Sequence, residues 1–275
     1  MKRGQYGAPA GRSFESVIPL VLIVILAVFI AGKFGLVDLS SIPGVGGLFP
    51  KPYIKVVVIG HESEALRSVM TAEDFRVAGV NYIGSIPQEA ITPGSLNSYD
   101  IIVLQGSTVC DRTARKVIAD RVKAGGKLIV VGDACTRVTD DANAVGWDIG
   151  IGSLGDVIPV TYGGVLFHES TGQSTVSVPS GKFKIIAPDH PIFNGIKNFG
   201  FTGVVTRVLP NANSNALAYI DTYFGRVTAP ATFAIVESQG LLTGKTLYYS
   251  FDPGLAFASR NMLLNSLLYL KGAKG

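Results

Sequence analysis

Residues Ile54–Gly60 read IKVVVIG. A continuous β-branched run ending in glycine fits a strand buried on both faces of a parallel sheet, because such a strand has no solvent side to fill with polar residues. Two more runs share that character: Asp100–Leu104 (DIIVL), closed by Gly106-Ser107-Thr108, and Lys127–Val131 (KLIVV). Val80–Ile86 predicts a weaker strand. Glu62–Met70 predicts a helix with Glu62, Ser63 and Glu64 in its first turn. Ahead of the third strand, Ala114, Val117, Ile118, Arg121 and Val122 fall at helical spacing. Asp111 or Thr113 can cap that helix, and Gly125-Gly126 stops it. Strand, helix and strand joined by short loops imply a right-handed parallel crossover. The first half therefore predicts a doubly wound, mostly parallel α/β sheet.

The second half changes character. Short alternating runs occupy Val157–Tyr162, Thr175–Val178, Lys184–Ile186, Thr232–Val236 and Thr246–Phe251, punctuated by Gly, Pro and Asn. They predict additional antiparallel or mixed strands. Arg260–Leu270 (RNMLLNSLLYL) predicts a closing amphipathic helix, with Met262, Leu263, Leu267 and Leu270 on one face and Gly272 ending it. Residues 54–275 are ample for one domain with a sizeable core.

Upstream, the 17 residues from Ser16 to Gly32 carry no charge. At a helical rise they cover about 25 Å, and with Phe34, Leu36 and Val37 they reach the length of a bilayer crossing. A cleaved signal peptide would have a shorter apolar core, roughly 7–15 residues, before a small-residue cleavage site. A pilin-type leader fits poorly, because Gln5–Arg12 separates Lys2-Arg3 from the apolar run. The expected organisation is a cytoplasmic tail at 1–15, a transmembrane anchor at 16–37, a linker at 38–53 and an α/β domain at 54–275. The linker, DLSSIPGVGGLFPKPY, holds three Pro and three Gly residues. Lys2, Arg3 and Arg12 precede the run; Lys33 and Lys51, offset by Asp38, follow it. The positive-inside rule then places the N-terminus in the cytoplasm and the large domain outside a cell membrane crossed once.

A net charge of +4 over 275 residues, with the basic residues scattered, gives nucleic-acid binding little support. Charged residues at 16% and 33 glycines describe a compact, loop-rich domain rather than a disordered one.

Four stretches, in this order, resemble the class I glutamine amidotransferase-like superfamily, above all its trehalose-utilisation (ThuA-like) branch. They are Tyr99–Leu104 before a glycine turn, Lys123–Gly132, Asp189–Ile196 (DHPIFNGI) and Gly244–Gly254 (GKTLYYSFDPG). A terminal helix ending Tyr269-Leu270-Lys271-Gly272 also fits. The resemblance implies a flavodoxin-like sheet. It also implies a Cys on a sharp turn after the strand matching Lys127–Val131 and a late His that takes its proton. The turn here reads Val131-Gly132-Asp133-Ala134-Cys135, so the nucleophile position falls near Gly132 or Asp133 and Cys135 comes two or three residues late. The late stretch, Ser250-Phe251-Asp252-Pro253-Gly254, puts Asp252 where the His would stand. Both halves of the thiol machinery are changed, which argues against glutamine hydrolysis.

Cys110 and Cys135 are the two cysteines, and each follows a parallel strand. They are either a disulfide across neighbouring strand ends or two separate buried thiols. Gly60 and His61 follow the first strand, Ser107 and Thr108 the second, and Asp133 the third. With Asp252 they can line one polar pocket at the carboxyl edge of the sheet, where open α/β folds bind ligands; polar turns at strand ends are the alternative. If the protein is an enzyme, His61, Asp133 and Asp252 are its acid–base groups. His190, before Pro191, fits a structural turn better than a catalytic role. His168-Glu169 has no third ligand at recognisable spacing, so no metal is expected. Gly150–Gly155 matches GxGxxG but does not open a helix after the first strand, so no dinucleotide or other cofactor is expected. Tyr219, Tyr223, Phe224, Tyr248 and Tyr249 read as core and interface rather than as a sugar platform.

Two functional expectations follow. The first is a membrane-anchored, non-catalytic domain that binds or scaffolds protein partners in a membrane complex, held in the lipid bilayer through residues 16–37. Degenerate members of the superfamily act in this way, including subunits of oligosaccharyltransferase. The second is an extracytoplasmic hydrolase or isomerase acting on carbohydrate or a related polar metabolite.

Overall fold

A computed structural model describes residues 19, 21–27, 53–150, 153–163, 174–224, 227–238 and 244–272. The chain divides into two compact units, Met1–Pro52 and Tyr53–Gly275. In the first, residues 19 and 21–27 are helical, and the rest of the expected anchor, tail and linker up to residue 52 lies outside the described residues. Among the described residues no helix is long and apolar enough to cross a membrane.

The second unit starts directly in strand β1 (Ile54–Gly60). Helices α1 (Glu64–Met70) and α2 (Glu73–Val77) lead to β2 (Val80–Ile86). Then come β3 (Ile101–Gln105), the short β4 (Val109–Cys110), α3 (Arg112–Lys123) and β5 (Lys127–Val131). Short strands β6 (Arg137–Val138), β7 (Asp141–Val145) and β8 (Val160–Tyr162) follow. The remaining strands are β9 (Thr175–Ile185), β10 (Phe199–Thr206), β11 (Val208–Pro210), β12 (Ser214–Phe224), β13 (Val227–Ser238) and β14 (Thr246–Tyr249). Helix α4 (Phe257–Lys271) closes the unit, and Gly272, at φ +83°, ends it in the left-handed conformation that favours glycine.

Nine strands form one sheet in the order β10-β9-β12-β13-β14-β5-β3-β1-β2. Strands β14, β5, β3, β1 and β2 run parallel; the apolar runs predict this for β1, β3 and β5, whereas β14 comes from Thr246–Phe251, expected among the antiparallel or mixed strands. Strands β13, β12, β9 and β10 extend the same sheet with antiparallel pairing. Strands β9, β10, β12 and β13 thus extend the sheet edge, while β8 and β11 pair antiparallel in a separate two-stranded sheet.

Alternation along the parallel strands explains their all-apolar composition. Val56 and Val58, Ile101 and Val103, Ile129 and Val131, and Leu247 and Tyr249 face α1, α2 and α4. Val57 and Ile59, Ile102 and Leu104, Leu128 and Val130, and Tyr248 face α3 and Trp147. Helices therefore cover both faces. At α1, Ser63 Oγ accepts from Leu66 N at 3.0 Å; at α3, Asp111 Oδ1 accepts from Ala114 N at 2.6 Å. The cap at α1 starts that helix at Glu64 instead of Glu62.

Candidate functional site

The carboxyl ends of β1, β3, β5 and β14 bring Gly60, His61, Ser107, Thr108, Asp133 and Asp252 to one edge of the sheet. The crevice between β1 and β3, the switch point of a doubly wound sheet, is occupied by main chain. A Cβ on Gly60 would lie 2.3 Å from Gln105 O, and one on Gly106 would lie 1.7 Å from His61 O. Gln105, itself buried, bonds across this seam to Ser63. Its Oε1 accepts from Ser63 N at 3.1 Å, and its Nε2 donates to Ser63 Oγ at 3.3 Å. His61 is exposed above this seam.

Beyond the seam, the loops after β3 and β5 are bonded together. Cys135 N donates to Ser107 O at 2.7 Å, and Arg137 N to Thr108 O at 2.8 Å. Cys110 and Cys135 form a disulfide, with Cα atoms 5.0 Å apart. Both are buried, at 0% and 2% exposure, so the sulfurs are sealed from solvent as well as from a substrate. Cys135 is the one non-glycine residue with positive φ (+56°) among the described residues. Such a conformation persists only where surrounding structure holds it. Part of that hold is Trp147, fully buried, whose Nε1 donates to Ala134 O at 2.8 Å. Trp147 O in turn accepts from Arg115 at 2.7 Å.

Asp133 is half-buried beside Tyr248. The Tyr248 hydroxyl donates to Gly132 O at 3.1 Å. Burial, with the nearby charge of Asp133, holds its phenol pKa well above the ordinary 10, so Tyr248 is a neutral donor and not a base. Thr206, buried, hydrogen-bonds the same hydroxyl. Ser250 is buried as well, and its Oγ has no partner among the described residues. Thr206, Tyr248 and Ser250 are the polar groups that reading the sequence missed. Tyr248 sat in an apolar run, and nothing in β10 marked Thr206 as near it. Glu62 was also missed as a polar site: its Oε2 is buried without a hydrogen bond, and Arg67 Nε stands 3.7 Å from Oε1. Burial raises the Glu62 carboxyl pKa, with Arg67 opposing.

Asp252 serves the backbone. Its Oδ1 accepts from Gly254 N at 2.8 Å, in a turn where a Cβ on Gly254 would lie 2.4 Å from Leu66 N of α1. Among the described residues no hydrogen bond or ion pair joins His61, Asp133 and Asp252. The edge gathers the predicted residues, but it does not converge the three proposed acid–base groups into a bonded set.

The opposite, amino edge holds a second polar cluster. His190 Nε2 stands 3.3 Å from Glu237 Oε2, while Tyr269 Oη donates to Glu237 Oε1 at 2.5 Å. Lys245 Nζ donates to Tyr269 Oη at 2.7 Å. His190 Nδ1 also accepts from Ile192 N at 3.4 Å and caps the turn Pro191–Phe193, which is the structural role expected of it. Near this edge a cleft of about 340 Å³ is lined by residues that include Val122, Ile158, Asn211, Ser238 and Gly244, and by none of the predicted pocket residues. No group of three or more His, Cys, Asp or Glu able to hold a metal occurs among the described residues. His168 and Glu169 lie outside them, and the Gly150–Gly155 motif runs into a 3-10 turn at Leu154–Asp156 instead of an α-helix.

A mixed sheet of this order, flanked by helices on both faces, is a ThuA-like fold. Solved structures that share it include a putative ThuA-like protein from Bacteroides uniformis, 11% identical, with TM-score 0.56 over 81% of this chain and 93% of that one. A cytoplasmic protein from Salmonella typhimurium is 18% identical, with TM-score 0.55 over 78% and 98%. A β-galactosidase from Rahnella sp. R3 matches over 80% of this chain but 32% of its own, at 12% identity and TM-score 0.54. At these identities the likeness is one of fold. No protein-family model matches the chain, and no curated protein does.

Proposed function

We propose that this chain is a membrane-anchored, non-catalytic member of the ThuA-like fold that acts as a binding or scaffold subunit of a membrane-associated assembly. The observation that carries this reading is the Cys110–Cys135 disulfide. A sulfur spent in a buried disulfide offers no thiolate, and thiolate attack is the step on which amidotransferase chemistry of this superfamily depends. Two further features agree. Asp252, at the position of the late His, is committed to a turn, and at the switch-point crevice Gln105 bonds to Ser63 while Gly60 and Gly106 pack directly on main chain. Disulfides persist in oxidising compartments, in keeping with an extracytoplasmic domain behind a single anchor at residues 16–37.

The second reading, an extracytoplasmic hydrolase or isomerase acting on carbohydrate or a related polar metabolite, draws on Asp133 beside the Tyr248–Thr206 hydroxyl pair. Affinity capture of the full-length protein from solubilised membranes, followed by mass spectrometry, decides between them. The scaffold reading expects stoichiometric membrane-protein partners. Recovery of the chain alone, together with turnover of a carbohydrate that Asp133→Asn abolishes, overturns it.

A further inference from the structure

Five strands begin at the amino edge of the parallel sheet, and the chain enters the domain there, at Ile54. That edge collects cations from separate elements. Lys127 starts β5, and Lys245 immediately precedes β14; the pairing of Thr246 with Leu128, and the bond from Leu128 N to Lys245 O at 3.0 Å, set the two lysines side by side. Arg121 comes from the last turn of α3 and packs on Gly126, where a Cβ would lie 3.1 Å from its Cγ. Lys55 sits on β1, and Lys271 ends α4.

Their partners are unevenly distributed. Lys271 pairs with Asp100 at 2.6 Å, and Lys245 reaches Glu237 at 3.7 Å. Lys127 and the Lys55 side chain have no ion-pair partner among the described residues. Arg121 donates through Nη2 to Tyr99 O at 3.2 Å, and its Nε is buried without a partner. Lys127 is half-buried between Lys245 and Arg121; burial, then those two like charges, lower its pKa. Arg121 can be explained as a cation complementing the C-terminal end of α3. Lys127 and Lys55 cannot, because they lie on strands, and Lys245 immediately precedes one. Lys245 has Glu237 as a counter-charge, but Lys127, set beside it, has none among the described residues, and such a like-charge neighbour costs stability unless an anion completes the set.

We infer that the amino edge, through Lys55, Arg121, Lys127 and Lys245, docks on the anionic phosphate headgroups of the bilayer. The inference rests on the anchored reading above. The chain preceding Ile54 is the short Pro- and Gly-rich linker, and ahead of it lies the apolar run. A linker of 16 residues keeps whatever surface surrounds its exit point within a few tens of ångströms of that run, at roughly 3.3–3.6 Å per residue at most. The cations are gathered at this exit, and basic groups beside an anionic bilayer surface are attracted to it.

The test uses full-length protein in nanodiscs of phosphatidylcholine alone or mixed with phosphatidylglycerol. Acylation of each lysine by an amine-reactive reagent is followed by peptide mass spectrometry. Lys55, Lys127 and Lys245 are expected to react about fivefold more slowly in the anionic discs, with the protection removed by high salt. Lys182 and Lys184, on β9, serve as references and are expected to be unchanged. Lys127→Gln, which breaks no ion pair among the described residues, is expected to weaken the protection of Lys55. Equal labelling in the two bilayers overturns the inference. Equal protection by inorganic phosphate in neutral discs also overturns it, in favour of a free-anion site. Extraction of the protein from membranes by carbonate removes the anchored reading itself, a separate failure that leaves labelling in discs unexplained by a bilayer.

Discussion

Cys110, in the short β4 that follows β3, is joined to Cys135, in the loop after β5, by a disulfide that spans 25 residues of chain. Strands β3 and β5 are neighbours in the sheet, with Leu104 opposite Val130, so the bond staples the segments that follow them at one edge. Peptide mass spectrometry without reductant is expected to recover the fragments carrying these residues linked; free alkylation of both thiols would contradict the structure. On the chain-entropy account, closing a loop of this size stabilises by about 3.5 kcal/mol. Cys110→Ala with Cys135→Ala is therefore expected to lower Tm by roughly 7–14 °C for a domain of this size. A shift under about 2 °C would show that the hydrogen bonds from Cys135 N and Trp147 hold the loops unaided.

The same bond bears on activity. A glutaminase of this fold needs a thiolate on its elbow and a base to receive the proton, and losing either typically costs on the order of 10³-fold or more in rate. Here the sulfur is bonded and Asp252 caps Gly254. Purified protein is expected to release no ammonia from glutamine above background, with or without reductant. Glutamine hydrolysis that appears on reduction and vanishes in Cys135→Ala would make the disulfide a latch on a working site.

The seam at the switch point gives a steric prediction. Gly106 has φ +78°, and an added Cβ would meet His61 O and its carbonyl carbon at 1.7 and 2.7 Å. Backbone on both sides cannot yield, so Gly106→Ala is expected to cost several kcal/mol and to leave the protein largely insoluble. Gly125, at φ +97°, has open space around it. Gly125→Ala carries the left-handed penalty alone, about 1–2 kcal/mol, and is expected to fold with a modestly lower Tm. Equal effects at the two positions would refute the close approach of β1 and β3.

The parallel half was legible because burial on both faces leaves one composition available to its strands. IKVVVIG and KLIVV coincide with β1 and β5, and the capping Asp111 with the start of α3. The antiparallel half was read in fragments. Thr175–Val178 and Lys184–Ile186 belong to a single strand, β9, interrupted in pattern by Pro179 and Gly181; Gly181 is needed where the backbone passes Asp221 O, 2.1 Å from a would-be Cβ. Strands β10 and β12 went unseen because FGFTGVVT and SNALAYIDTYF lack the alternation that marks a half-buried strand, and irregular register breaks their pairing. Candidate residues at the carboxyl edge could be placed from strand order alone. Their partners could not, since Tyr248 meets Gly132 from 116 residues away.

The amino-edge cluster predicts an acid response. Burial of Glu237 alone would raise its carboxyl pKa, but the contacts from His190 and Tyr269 outweigh it and hold the group below its ordinary 4.5. A carboxyl depressed in the folded state contributes stability that is complete above the unfolded value and is lost as pH falls through the folded one. Glu237 therefore stabilises at neutral pH and ceases to do so in acid, below roughly pH 4.5. Glu237→Gln keeps an acceptor for Tyr269 Oη but gives up the charge facing His190 and Lys245. It is expected to cost about 1–3 kcal/mol at pH 7, and Tm curves of the two proteins are expected to approach each other as pH is lowered toward about 3. Parallel curves across that range would mean that Glu237 titrates as it does in the unfolded chain and that the His190 contact supplies packing rather than charge.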